Sequence, residues 1–158
     1  MTTAYVHERR SPKEFLALAI WRLLGKPIFR MSPTFLFSFR VSILRIYGAK
    51  IGSRVRIYPS VNIWIPSRLT IGDGVGIGDD VYLYNKAPIH IGSGSVISRS
   101  TFIATASHEY NDPGFPLISR SILIGQFCWI AASCIILPGI QISDGCVIGA
   151  GSVVTKHT

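Results

Sequence analysis

Every sixth residue from Ile124 onward is aliphatic: Ile124, Ile130, Ile136, Ile142, Ile148 and Val154. Four places after each of the first five stands a small or medium residue: Cys128, Cys134, Ile140, Cys146 and Ser152. A period of six is neither the 3.6-residue period of an amphipathic helix nor plain alternation, although it contains alternation. It predicts a parallel β-helix in which each hexad supplies one short strand and one corner, and three hexads close a triangular coil of about 18 residues. The aliphatic and the small residue both point into a narrow prism. Gly125 and Gly149, each directly after an aliphatic, are expected to permit tight corners.

The same rhythm runs upstream. Ile51, Ile57 and Ile63 form one predicted coil. After a two-residue slip come Ile71, Ile77 and Leu83, and after another Ile91, Ile97 and Ile103. With the two coils from Ile124 onward this makes five, a prism about 24 Å long at strand spacing. Ile103 and Ile124 are 21 residues apart instead of 18, and the interval is polar, rich in turn residues and holds Pro113 and Pro116. Residues 104–122 are therefore predicted as a loop extruded from the prism. A long loop on a rigid scaffold is a favoured place for function.

Residues 1–50 follow a different pattern, and the β-helix domain is assigned to 51–158. Ser11-Pro12-Lys13-Glu14 is a helix start, with Ser as N-cap, Pro at the first helical position and Glu completing a capping box. That helix is expected to stop at Gly25, before Pro27. Ser32-Pro33 repeats the signal and predicts a second helix reaching Gly48. Arg22, Lys26, Arg30, Arg40 and Arg45 interrupt every apolar run, so neither segment is long enough to span a bilayer. The segment is expected to cap the open end of the prism. As a basic amphipathic surface it also suits an anionic membrane.

Charge sharpens this division. The 158-residue chain carries a formal +8, yet residues 1–56 hold 11 of the 16 basic residues and only Glu8 and Glu14 as acids. The remainder is near neutral. The positive charge is interleaved with apolar residues instead of covering a polar face, which excludes a nucleic-acid partner. Three cysteines and the lack of a secretory signal point to a reducing cytoplasm, and the basic amphipathic N-terminal segment suits peripheral contact at the inner membrane face. Cys128 and Cys146 lie one coil apart and are expected to stack as inert thiols, with no metal role. His90 is expected at a structural hexad corner, and His7 and His157 carry no signal. A metal-dependent carbonic anhydrase on this fold needs three histidines near the prism, and only His90 and His108 lie there.

Several stretches carry a resemblance. They are Gly78-Asp79-Asp80-Val81-Tyr82-Leu83-Tyr84-Asn85, Ser107-His108-Glu109-Tyr110 with Asp112-Pro113, Cys128-Trp129-Ile130-Ala131-Ala132, and Gly149-Ala150-Gly151-Ser152-Val153-Val154-Thr155-Lys156. From about Trp21 to Lys156 the chain resembles the hexapeptide-repeat acyltransferases, in the sugar O-acetyltransferase branch and its colanic-acid-type exopolysaccharide members. The resemblance implies a left-handed coil and a homotrimer with sites between subunits. It further implies acetyl transfer from acetyl-CoA to a hydroxyl of a sugar or lipid-linked glycan, through a ternary complex and without a metal. His108 matches the general base, a role suited to an imidazole whose unperturbed pKa is about 6.5. Glu109 or Asp112 would orient it. Asn85 is the candidate beside the acceptor, one place from the family's Asn. Trp129 and Ala132 would line the pantetheine arm, with Ala150, Thr155 and Lys156 towards the nucleotide. Family members continue past this Thr-Lys with a Gly-x-Pro segment that helps close the CoA site. The alternative expectation is therefore a catalytically impaired trimeric scaffold.

Overall fold

The computed structural model describes residues 12–158. From Lys50 onward the chain winds five times around a triangular prism, and its strands stack into three five-stranded parallel sheets. The first face carries Lys50–Ile51, Leu69–Ile71, Ile89–Ile91, Ile122–Ile124 and Gln141–Ile142. Each coil continues to the second face at Arg56–Ile57, Gly76–Ile77, Val96–Ile97, Trp129–Ile130 or Val147–Ile148. It then turns to the third at Asn62–Ile63, Tyr82–Tyr84, Phe102–Ala104, Ile135–Ile136 or Val153–Val154. The coil is the left-handed β-helix, wound against the usual right-handed preference of parallel crossovers.

Register follows the hexads. Ile51 pairs with Ile71, Ile71 with Ile91, Ile91 with Ile124 and Ile124 with Ile142. The other two faces repeat this, so each aliphatic column runs unbroken through the prism and is buried. The small inward positions of the inner coils are also closed, while Cys146 and Ser152 in the last coil are half-buried. Ser95 and Thr101 are fully buried and donate to Gly125 O at 2.7 Å and Ala131 O at 3.1 Å, so neither hydroxyl is stranded. Cys128 aligns with Cys146, and all three thiols are free.

The corners work differently from the expectation. Left-handed backbone falls at Arg54, Gly74, Gly94, Phe127 and Gly145 along the first edge, and not at Gly125 or Gly149. Gly125 is needed for closeness instead: a Cβ there would lie 2.6 Å from Asp144 N in the next coil. His90 is likewise no corner residue. It is exposed in mid-strand on the first face, between Thr70 and Leu123.

The cap departs further from the sequence reading. Helix α1 (Pro12–Ile20) does not stop at Gly25 but passes through a π-helical turn, Trp21–Gly25, into α2 (Lys26–Met31). The Lys26 N–H reaches back five residues to Trp21 O, and the widened turn places Pro27 in the first turn of α2, where its missing N–H costs little. Gly25 serves packing, since a Cβ would meet the Trp21 ring at 2.5 Å and the Tyr47 ring at 2.6 Å. The N-cap expected at Ser11 lies outside the described residues. Ser32 closes α2 instead of opening the next helix: its hydroxyl donates to Phe29 O at 2.7 Å. Helix α3 begins only at Phe37 and runs to Ile46.

One buried cation ties these pieces to the prism. Arg40 is 0% exposed, and its guanidinium donates to Ile57 O at 2.6 Å, Ser32 Oγ at 2.8 Å, Pro33 O at 2.7 Å and Thr34 O at 2.5 Å. A planar five-donor group suits four acceptors arranged in this way. Arg40→Leu is expected to cost about 3 kcal/mol in urea unfolding, because each buried acceptor left unpaired costs about 1–3 kcal/mol. Arg45→Leu, which removes an exposed arginine from Ile51 O and Gly52 O, should cost clearly less.

Candidate active site

The interval between the third and fourth coils is no irregular loop. It rises as an antiparallel hairpin, Ala106–His108 against Leu117–Ser119, with His108 opposite Leu117. It leaves the prism at the edge between the third and first faces. Its root is fixed by Thr105, whose N–H and hydroxyl both donate to Tyr84 O, at 3.1 and 3.0 Å. Arg120 N closes the base on Thr105 O at 2.8 Å.

His108 is exposed and held from behind. Its Nδ1 lies 2.8 Å from Phe115 O, and the Phe115 ring stacks on the imidazole at 4.5 Å and 8°. A carbonyl only accepts, so Nδ1 carries the hydrogen and the neutral ring presents the lone pair of Nε2. Phe115 has a left-handed φ of 43°, a conformation that costs a non-glycine residue free energy, and its N–H is tied to Asp112 O at 2.8 Å. The orienting group is thus a backbone carbonyl. Glu109 and Asp112, expected to orient the base, shape the hairpin tip: Glu109 Oε1 accepts from Asn111 N at 3.4 Å and Asp112 Oδ1 from Gly114 N at 2.8 Å.

Asn85 is fully buried, and its amide is spent on Ile65, accepting from the N–H at 2.9 Å and donating to the carbonyl at 2.6 Å. This position cannot face an acceptor because the strand's alternation turns it inward. Its outward neighbour is Tyr84. Tyr84 belongs to an aromatic sheet on the third face that the sequence reading did not assemble. Trp64 and Tyr84 meet edge to face at 5.4 Å, Tyr82 lies 5.9 Å from Tyr84, and Phe102 lies 5.3 Å from Tyr82. Arg22 of the cap covers the Trp64 ring at 4.5 Å, and Lys86 lies 5.5 Å from the Tyr84 ring. Burial first, and then Tyr84, push the Tyr82 phenol above its ordinary value against the pull of Arg22, keeping it a neutral donor. Residues 18 or 20 apart along the chain share this floor, and only the coil length brings them together.

The residues expected to hold acetyl-CoA lie on the second face and at two edges. Trp129 is half-exposed on the second face, its indole N–H donating to Ser98 Oγ at 3.0 Å. Ala132 and the exposed Ala150 follow at the edge between the second and third faces, where Gly151 N donates to Ala132 O at 2.9 Å. Thr155 and Lys156 are exposed at the other edge, two coils beyond the hairpin root, which is about 10 Å along the prism. His157 accepts from Gln141 N at 3.0 Å, so it pairs with the last coil. Among the described residues no cluster of three or more His, Cys, Asp or Glu is placed to hold a metal ion.

Comparison with known proteins bears on the family and the fold. Residues 121–156 match the bacterial transferase hexapeptide (six repeats) model. The chain is 42% identical to the colanic acid biosynthesis acetyltransferase WcaF of Escherichia coli K12, over 89% of this chain and 78% of that protein. The chain belongs to the hexapeptide-repeat transferase family. It is also 29% identical to the galactoside O-acetyltransferase of the same strain, over 74% of this chain and 59% of that one. Among solved structures, the acetyl-CoA complex of the hexapeptide-repeat acetyltransferase VCA0836 from Vibrio cholerae superposes with a TM-score of 0.84 at 25% identity, covering 93% of this chain and 80% of that chain. A galactoside acetyltransferase bound to coenzyme A shares the fold, also at 0.84, with 23% identity over 94% and 76% of the two chains.

The His108 tautomer is directly testable. In ¹⁵N-labelled protein above the imidazole titration, Nδ1 should show the protonated shift and Nε2 the unprotonated one. The reverse pattern would remove the Phe115 carbonyl as the orienting group.

Proposed function

We propose that this chain is an acetyl-CoA-dependent O-acetyltransferase whose acceptor is a hydroxyl of a sugar or glycan. The carrying observation is the Nδ1–H bond to Phe115 O, which leaves an exposed Nε2 as proton acceptor on a hairpin standing outside the packed prism. WcaF and the galactoside enzyme are named acetyltransferases, and VCA0836 was solved with acetyl-CoA, which supports the donor.

The reaction needs one base and two bound substrates. His108 Nε2 takes the acceptor proton while the hydroxyl oxygen attacks the thioester carbonyl carbon. The tetrahedral intermediate collapses, the carbon–sulfur bond breaks, and the coenzyme A thiolate recovers the proton from Nε2. The acetyl group leaves as an ester. The aromatic floor of Tyr82, Tyr84 and Phe102, backed by Trp64, offers aromatic surface to a sugar's C–H face and phenols to its hydroxyls. Lys156 meets the nucleotide phosphates as a point charge.

The complete site requires more than one copy. Trp129 on the second face, and Ala132 and Ala150 at the edge beside it, are separated by the whole third face from the edge that carries His108, Thr155 and Lys156. A homotrimer closes this gap, because a cleft between two prisms brings one edge of each copy together. The cap would rest on an anionic membrane. Leu23, Ile28 and Met31 are exposed beside Arg22, Lys26 and Arg30. Burial first, then the neighbouring Arg30 and Arg22, hold the Lys26 ammonium below its ordinary value, and an anionic surface would relieve that crowding. No helix among the described residues is long and apolar enough to cross a bilayer.

His108→Ala should lower turnover by about 10²- to 10⁴-fold while leaving acetyl-CoA affinity and thermal stability intact. Residual activity above a tenth of the parent would place the base elsewhere, and failure of the parent chain to bind acetyl-CoA would favour the scaffold alternative. Mixing His108→Ala with an inactive Trp129→Ala protein should restore part of the activity if sites lie between subunits. Flotation with phosphatidylglycerol vesicles at low salt should carry the chain upward, and high salt should release it. No flotation at low salt would reduce the N-terminal segment to a cap alone.

A further inference from the structure

A groove opens where α1 and the end of α3 lean over the first coil. It has a volume of about 520 Å³, and Ala17, Leu18, Ile20, Trp21, Ile46 and Ile65 form most of its apolar wall. Among the described residues, Glu14 and Arg68 are its charged lining residues. This volume is within the range of roughly 300–1,000 Å³ usual for small-molecule sites. The aromatic floor and His108 leave the groove unused.

Its position relates it to the reaction. The lining residues Ile65, Pro66, Ser67 and Arg68 form the first-coil corner of the same edge from which the hairpin rises two coils later. A line of contacts joins the two. Arg68 Nη1 donates to Lys86 O, Lys86 Nζ lies 5.5 Å from the Tyr84 ring, and Tyr84 O accepts from the N–H of Thr105 at 3.1 Å. His108 follows three residues on. The axial separation from groove corner to hairpin root is two strand spacings, about 10 Å.

Resting on the reading of the third face as the acceptor site, we propose that the groove takes the apolar tail of an amphiphilic acceptor. An anionic linker then passes Arg68 and Lys86, and the sugar reaches Tyr84 and His108. Three observations select this occupant. The wall is apolar, which a free sugar would leave unmatched. The cations Arg68 and Lys86 stand between the wall and the base, while among the described residues Glu14 is the sole acid of the lining. Ile20, in the wall, is also part of the exposed apolar surface beside Arg22, so the groove is continuous with the face proposed to lie on lipid.

Calorimetric titration of the full chain with dodecyl phosphate, below its micelle concentration, tests this without acetyl transfer. One molecule per chain is expected, with butyl phosphate binding at least tenfold more weakly and a neutral dodecyl glycoside also more weakly. Ala17→Trp and Ser67→Phe fill the groove from opposite walls. Both positions are exposed, so neither change removes a core contact. Each variant, after its thermal melt shows an intact fold, should weaken dodecyl phosphate at least tenfold. Undiminished binding by both variants, equal binding of butyl phosphate, or uptake of many molecules without saturation would overturn the proposal. Such a result would leave the His108 chemistry standing. Conversely, an inactive chain that binds dodecyl phosphate as described would separate the groove from the acetyltransferase reading.

Discussion

Everything in this molecule depends on the width of the prism. Each coil must place its aliphatic residues directly over those of the coil before, because the narrow interior holds only one aliphatic and one smaller inward residue per face, as with Ser95 and Ile97 or Cys128 and Ile130. Residues therefore cannot slip in register without turning a buried column outward. The two-residue additions in the second and third coils are absorbed where the chain turns from the third face to the first, at Ile65–Arg68 and Asn85–Pro88, and leave the columns intact. The hairpin is inserted at this same edge one coil later. A scaffold that tolerates insertion only at its edges has one obvious place to put chemistry.

That constraint explains the form of the base. A histidine on a mobile loop would sample many orientations, and its two nitrogens would compete as proton acceptors. Here the hairpin pairs Ala106–His108 with Leu117–Ser119, and the left-handed Phe115 turns both its carbonyl and its ring towards the imidazole. The ordering is done by backbone, in which neither partner changes charge, and not by a carboxylate that would favour imidazolium. Turning Nε2 outward while Nδ1 is occupied preorganises the acceptor lone pair.

The open top of the prism presents the opposite problem, an edge of unpaired strand groups that must be covered. The cap answers it with polar anchors as well as oil. Trp21 Nε1 donates to Ile63 O at 3.2 Å, Arg40 to Ile57 O, and Arg45 to Ile51 O, so each of the first coil's three strands supplies a carbonyl to the cap. Anchored by these inward groups, the helices are free to leave apolar residues on their outer surface. The groove under α1 and the aromatic floor under Arg22 are both consequences of how the cap is seated.

The period of six determined the architecture by itself, because a repeat that matches the coil states its own neighbours: Ile51 over Ile71 and Ile124 over Ile142 follow from counting. The singular loop and its His108 were legible for the same reason, as the one interruption. The tertiary structure decided what alternation and propensity leave open. Asn85 and Tyr84 differ by one place, and only the strand's facing puts the amide inside and the phenol out. Pro27 reads as a helix end until a π-turn, packed on Tyr47 through Gly25, absorbs it. Ser32 reads as a helix start until Arg40, eight residues later, claims its hydroxyl. In each case a distant partner supplies the free energy that overrides the local signal, and partners of that kind are not written in a window of neighbouring residues.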